Sequence, residues 1–71
     1  MKISYKKLWI KIAEMEITKI QFREKADISP GTMTKLNKGE EVSLAILLKI
    51  CDSLDCNIGD ICDAVRENNQ K

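Results

Sequence analysis

Residue types that mark several other classes of protein are scarce in this chain of 71 residues. The sequence has no His, one Pro, three Gly and three aromatic residues. Without His, the commonest general base and metal ligand is missing. Few Gly and Pro also leave few of the turn signals that separate β-strands. The composition argues against an enzyme, against a metal site and against a β-sandwich, and no cofactor or small-molecule substrate is indicated.

Long hydrophobic runs are missing as well. No segment approaches the roughly 18 consecutive apolar residues of a membrane span, and lysines interrupt the opening stretch MKISYKKLW, where a signal peptide would be apolar. The three cysteines are an odd number, which argues against a disulfide framework. We therefore expect a cytoplasmic protein with reduced cysteines and no membrane partner.

The length and the remaining composition indicate one small helical domain. The chain is near the lower size at which a single core folds without disulfides or metal. Its hydrophobic share is 44%, and the aliphatic residues are mostly Ile and Leu. We expect an all-α, compact five-helix bundle over residues 1–71, with its core at about residues 4–66 and a frayed polar tail at residues 67–71.

Charge is divided unequally along the chain. Residues 1–38 carry nine basic and four acidic side chains, whereas residues 39–71 carry three basic and seven acidic ones. The two halves therefore differ in sign, although the whole chain has a formal charge of only +1. A positive half suits a surface that faces phosphates, and a negative half would be held away from DNA.

Apolar spacing predicts the helices at both ends of the chain. Ser4 is expected to cap a first helix that buries Leu8, Ile12 and Met15 and ends near Glu16. Ser43 is expected to cap a fourth helix, and Asn57 a short fifth one with Ile58, Ile61 and Val65 inward. The apolar stripe of the fourth helix is predicted to contain Leu44, Leu47, Leu48, Cys51 and Leu54, with Ile50 at its margin.

Two short helices are predicted between residues 18 and 39. Thr18 and Gln21 have the spacing of a capping box, and Phe22 and Ala26 follow as inward residues. Ser29 precedes Pro30, a pair typical of a helix start, and Gly39 supplies a stop. Met33 and Leu36 share one face of the second helix, so Gly31, Thr32, Thr34, Lys35 and Lys38 are left for solvent or a ligand. Such a pair of helices describes a helix-turn-helix.

The stretch TKIQFREKADISPGTMTKLNKGE, followed by SLAILLKICDSL, resembles the DNA-binding domains of the phage repressor and Cro family, the Xre-like regulators. The resemblance covers roughly residues 5–65 and implies a lambda-repressor-like fold. It also implies that Pro30, Gly31, Thr34 and Lys35 lie where the family reads bases. Positions where the family touches the DNA backbone are held by Thr18, Lys19, Ser29, Thr32 and Lys38.

Several residues depart from the family's pattern. Pro30 and Gly31 offer no side-chain hydrogen bond, so Lys35 is the main base-directed donor and part of the selectivity is expected to be indirect. Arg23 stands where a small Ala is usual, and Glu16 and Asp27 stand at turn positions often held by Gly. Glu40 and Glu41 follow Gly39 in a loop that phosphate would repel.

Other features have plainer explanations. Cys51, Cys56 and Cys62 match no zinc spacing, and Cys51 lies on the apolar stripe. Tyr5 and Trp9 are read as packing residues rather than as base-stacking ones. Lys2, Lys6, Lys7 and Lys11 form a basic stretch that is interpreted as solvated, with an extension of a DNA-facing surface as the alternative.

The sequence thus predicts a DNA-binding transcriptional regulator. A homodimer on double-stranded DNA, with half-sites about 34 Å apart, is expected because one small module buries little surface. The dimer candidates are Ile58, Ile61, Cys62 and Val65. The alternative is a protein-interaction module of antitoxin or anti-repressor type on the same fold, favoured by Pro30, Gly31 and the Glu40–Glu41 pair.

Overall fold

A computed structural model describes residues 1–67, and the predicted tail beyond Glu67 lies outside the described residues. The mostly helical prediction is confirmed, but five helices is wrong, because the described residues form four α-helices and a small sheet. In chain order the elements are β1 (Lys2–Ser4), α1 (Lys6–Glu14), α2 (Lys19–Ala26), α3 (Pro30–Lys38), α4 (Leu44–Leu54), a 3₁₀ turn (Ile58–Asp60) and β2 (Asp63–Val65).

The two strands join the ends of the described chain. They pair antiparallel, with Lys2 opposite Val65 and Ser4 opposite Asp63. Lys7, in the first turn of α1, reinforces this closure, because its Nζ donates to the Gly59 carbonyl at 3.2 Å and lies 3.4 Å from the Asp63 carboxylate. The N-terminal segment is thereby held against the segment that follows α4.

The predicted fifth helix is replaced by the 3₁₀ turn and β2. The turn is closed at its start by a 3.0 Å hydrogen bond from the Asn57 N–H to the Asp60 carboxylate. Gly59 weakens helix continuation, and β1 offers backbone hydrogen bonds to the segment that contains the β-branched Val65. Ile61 is buried as predicted, whereas Ile58 is 36% exposed.

The first helix begins and ends differently from the prediction. Ser4 is the last residue of β1, and Tyr5 is the N-cap of α1 without a side-chain capping bond. The helix ends at Glu14, so Met15 lies beyond it and is exposed instead of buried. Leu8 and Ile12 do face the core, as expected. Glu16 follows in the left-handed region, with φ of 59°.

The buried face of α4 is rotated relative to the predicted stripe. Ile50, expected at the margin, is fully buried, and Leu47, Cys51 and Leu54 lie beside it in the core. Leu44 and Leu48 are 61% and 55% exposed. Hydrophobic periodicity predicted the helix correctly. Because α4 has apolar residues on more than one face, the periodicity did not define which face is buried.

All the elements pack on one hydrophobic core. It includes residues from every helix and from the segment between the 3₁₀ turn and β2: Tyr5, Leu8, Ile12, Phe22, Ala26, Ile28, Met33, Leu36, Leu47, Ile50, Cys51, Leu54, Ile61 and Cys62. No buried polar or charged residue interrupts it within residues 1–67. Within the same residues, no helix is long and apolar enough to cross a membrane, and no cluster of side chains is suited to hold a metal ion.

Candidate nucleic-acid interface

The start of α2 is fixed by the predicted capping box. The Thr18 hydroxyl accepts a 3.0 Å hydrogen bond from the Gln21 N–H, and the Gln21 side chain accepts one of 2.8 Å from the Thr18 N–H. Phe22 and Ala26 are buried beneath the helix. The first turn of α2 is therefore rigidly placed, with Lys19 as its first residue.

The turn between α2 and α3 is held by three polar side chains. Asp27 ends α2 in the left-handed conformation, with φ of 55°, as its glycine-like position implies. Lys49 of α4 donates to the Asp27 carbonyl at 2.8 Å and pairs with its carboxylate at 3.5 Å. Arg23, which the sequence placed as an unusual residue, reaches outward and donates to the Ile28 carbonyl at 3.5 Å. Arg23 and Lys49 thus both bind main-chain carbonyls of the turn between the two helices.

Helix α3 begins and ends as predicted. The Ser29 hydroxyl accepts a 3.2 Å hydrogen bond from the Thr32 N–H, and Pro30 occupies the first turn. Gly39 ends the helix with φ of 76°, a conformation that glycine adopts without strain. Met33 and Leu36 point into the core. These anchors leave the opposite face of α3 on the surface of the molecule.

That exposed face carries all four predicted base-reading residues. Pro30, Gly31, Thr34 and Lys35 are exposed, and an added Cβ at Gly31 would meet nothing within 4 Å. The Thr34 hydroxyl donates to the Pro30 carbonyl at 3.0 Å, so its proton is engaged within the helix. Lys35 takes part in neither of the ion pairs found among residues 1–67. Its ammonium is exposed on this face of α3.

The predicted phosphate-contact residues border the same face. Thr18, Lys19, Ser29 and Lys38 are exposed, and Thr32 is half-buried. Thr18 and Ser29 are both helix N-caps, where backbone N–H groups and the helix dipole favour an anion. The structure places Lys19, at the start of α2, beside Asn37 in the last turn of α3, while Ser29 and Thr32 lie at the start of α3.

Lys19 has two partners that sequence reasoning missed. Its Nζ donates to the Asn37 Oδ1 at 2.8 Å and lies 4.2 Å from the centroid of the Trp9 ring. Trp9 in turn meets Phe22 edge to face, with the ring centroids 6.4 Å apart. The interpretation of Trp9 as a packing residue agrees with its contact with Phe22. The contact with Lys19 joins different helices, so no local spacing signalled it.

The three cysteines are removed from solvent to different degrees. Cys51 and Cys62 are buried and Cys56 is half-buried, all as free thiols. Burial is the largest cause that raises the pKa of the Cys56 thiol, and it also raises the pKa of Cys62. A raised pKa lowers the thiolate fraction at neutral pH.

The four dimer candidates differ in burial, because Ile61 and Cys62 lie in the core while Ile58 and Val65 reach the surface.

Comparison with known proteins gives a consistent result. The family model of the Cro/C1-type HTH DNA-binding domain matches residues 7–67. The crystal structure of the transcriptional regulator VanUg, Form II, is similar to this chain with a TM-score of 0.89 and 42% sequence identity, over 93% of this chain and 88% of that one. No curated protein sequence matches. The chain belongs to the Cro/C1-type helix-turn-helix DNA-binding domain family.

Proposed function

We propose that this protein regulates transcription by binding double-stranded DNA as a homodimer, with α3 in the major groove. The observation that carries this proposal is the division of α3 into a face buried by Met33 and Leu36 and an open face that presents Lys35. An α-helix with one anchored face and one open cationic face is suited to enter the major groove. The similarity to VanUg supports a regulatory role.

Base reading is assigned mainly to Lys35. A lysine ammonium can donate to guanine O6 and N7 in the major groove, and Lys35 is free to do so. Pro30 and Gly31 allow close approach of the DNA but supply no side-chain hydrogen bond, and Thr34 donates within its own helix. We infer that DNA shape contributes to selectivity beside this limited direct readout.

Phosphate binding is assigned to residues that border the open face. Lys19 and Lys38 supply positive charge, and the N-caps Thr18 and Ser29 lie where helix N-termini favour phosphate. Thr32 lies within the same first turn of α3. Contacts of this kind fix the register of a protein on DNA and make its affinity depend on salt.

The homodimer is proposed to form through α4. Leu44 and Leu48 are one helical turn apart and are both more than half exposed. An isologous dimer would remove both leucine pairs from water, at about 25 cal/mol per Å² of apolar surface buried. Of the residues chosen from the sequence, Ile58 and Val65 reach the surface. Ile61 and Cys62 already lie in the core of one copy.

DNA docking is tested by titrating a labelled operator duplex, selected from a random pool, with the wild type and with Lys35→Ala. We expect the substitution to weaken binding by about 10- to 100-fold and to relax the preference at one base position. Lys38→Ala is expected to weaken binding to all sequences and to reduce the salt dependence by about one phosphate contact. Lys25→Ala, an exposed lysine in the last turn of α2, is the matched control. Unchanged binding in both α3 variants would contradict the docking.

Dimerisation is tested separately by sedimentation equilibrium. Leu48→Glu is expected to shift the protein from dimer to monomer, because it places a charge in the apolar contact. Ile20→Glu is the control, since Ile20 is an apolar residue on α2 that is also more than half exposed, at 66%. A dimer that persists in Leu48→Glu would overturn the α4 interface. It would leave the DNA-docking proposal standing.

A protein-interaction module is the competing function. Glu40 and Glu41 are exposed directly after α3, where they would repel phosphate and favour a basic partner. The same DNA titration separates the two functions. A wild-type protein without salt-dependent affinity for DNA would favour the interaction module over DNA binding.

A further inference from the structure

Side chains from three different helices meet at the start of α2. Lys19 of α2 places its ammonium 4.2 Å from the Trp9 ring of α1 and 2.8 Å from the Asn37 Oδ1 of α3. We infer that Trp9 and Asn37 are positioning residues that hold the Lys19 ammonium ready for one DNA phosphate. This inference rests on the proposed DNA binding and deepens it, because it assigns a role to two residues outside the predicted DNA-contact set.

The Lys19 ammonium keeps N–H groups that are not used by Asn37. A lysine ammonium carries three N–H groups. Asn37 accepts one hydrogen bond, and the indole face of Trp9 attracts the positive charge electrostatically without consuming it. Lys19 has no acidic partner among residues 1–67, so its charge is not neutralised. A phosphate oxygen can therefore accept from the remaining N–H.

The Trp9 ring and the backbone of Asn37 are held by core residues. Trp9 is half-buried and meets the fully buried Phe22 edge to face, at an interplanar angle of 87°. Asn37 directly follows Leu36, which is buried in the core under α3. The ammonium is thus fixed relative to α3 as well as to α2. A lysine that is already ordered loses less conformational entropy on binding than a free one.

The position of Lys19 also suits an anion. It is the first residue of α2, beside the positive end of that helix, which spans eight residues. Lys25 lies six residues further on, about 9 Å along the helix axis, in the last turn. The two lysines therefore share a helix but not its anion-favouring end. This difference makes Lys25 a matched control for the charge of Lys19.

The experiment measures the affinity for a labelled mixed-sequence duplex at salt concentrations between about 50 and about 200 mM. Lys19→Met should make the negative slope of log K against log salt shallower by about 0.9, the value for one phosphate contact, and Lys25→Met should leave the slope unchanged. Asn37→Ala and Trp9→Phe should each weaken binding by about two- to five-fold. Both losses of affinity should disappear when Lys19 is already Met, because Asn37 and Trp9 then have no ammonium to position.

Thermal unfolding of each variant separates positioning from a purely structural role. Asn37 is exposed, so Asn37→Ala should melt close to the wild type while binding DNA more weakly. Lys19→Arg keeps a cation over Trp9 and should restore the salt slope that Lys19→Met loses. The single Trp gives a direct signal, because DNA should change Trp9 fluorescence in the wild type but not in Lys19→Met.

Three results would overturn the inference. An unchanged salt slope in Lys19→Met, with a reduced one in Lys38→Ala, would remove Lys19 from the phosphate contacts and leave DNA docking intact. If Asn37→Ala still weakens DNA binding in a protein that also carries Lys19→Met, Asn37 has a role that does not act through Lys19. A wild-type protein without salt-dependent binding would overturn the proposed function together with the inference.

Discussion

The Tyr5 hydroxyl donates a 2.8 Å hydrogen bond to the main-chain carbonyl of Glu40, a residue 35 positions further along the chain. Tyr5 is the N-cap of α1 and is buried, while Glu40 directly follows the glycine that ends α3. This single bond therefore ties the start of the domain to the end of the proposed recognition helix. It satisfies both a buried hydroxyl and a loop carbonyl.

Replacing Tyr5 by Phe should lower the free energy of unfolding by about 1 kcal/mol, because the ring stays in the core while one hydrogen bond is lost. Urea unfolding at neutral pH measures the change. The core packing should be kept, so the cooperativity of unfolding should not differ between the two proteins. A variant as stable as the wild type would show that water replaces this bond without loss.

The same pair predicts a pH dependence. Burial raises the pKa of Tyr5 above its ordinary value near 10 and outweighs a backbone hydrogen bond at Val42 that lowers it, while the nearby Cys62 and Glu41 charges also raise it. The stability that neutral Tyr5 contributes is therefore complete below about pH 10 and is lost as the pH rises through the folded-state pKa. Wild type should lose more stability than Tyr5→Phe in that range. Tyr5 is the single tyrosine, so phenolate absorbance follows its titration directly.

Two serine caps allow stability to be separated from DNA binding. Ser29 caps α3 and Ser43 caps α4, and each hydroxyl accepts a 3.2 Å hydrogen bond from the N–H three residues later. Ser29→Ala and Ser43→Ala should each lower the free energy of unfolding by about 1 kcal/mol. Only Ser29→Ala should also weaken DNA binding. Equal DNA affinities in the two variants would remove Ser29 from the phosphate-contact set.

Replacing Glu16, in the turn after α1, by Gly should stabilise the protein. Glu16 adopts φ of 59°, in the left-handed region that costs an ordinary L-residue about 1 kcal/mol. Glu16→Gly removes this strain but increases the entropy of the unfolded chain, so we expect a net stabilisation of up to about 0.5 kcal/mol. Glu24→Gly, within α2, should instead destabilise by about 1 kcal/mol. Thermal unfolding compares the two variants. If Glu16→Gly is less stable than the wild type, the left-handed conformation of Glu16 is not strained.

Local signals were sufficient for the helix-turn-helix. The Thr18–Gln21 capping box, the Ser29–Pro30 start and the Gly39 stop are each encoded within four residues and occur as predicted. The left-handed Asp27 was indicated by the family resemblance instead, because it stands at a turn position often held by Gly. Such features depend on hydrogen bonds between near neighbours, so the sequence alone carries them.

Non-local features were beyond the reach of these signals. The pairing of Lys2–Ser4 with Asp63–Val65 converts a predicted helix into a strand, because a partner from the other end of the chain supplies the hydrogen bonds. The rotation of α4, which buries Ile50 and exposes Leu44 and Leu48, depends on the helices packed against it. Neither result has a local pattern that would have revealed it.

The sequence by itself determined the helix-turn-helix, its caps and the exposed cationic face of α3, because these follow from spacing along one stretch of chain. Only the tertiary structure decided that Lys19 lies between Trp9 and Asn37 and that Tyr5 reaches Glu40. Those contacts join residues from separate elements. Their geometry is fixed by how the elements pack on a common core, which no local pattern records.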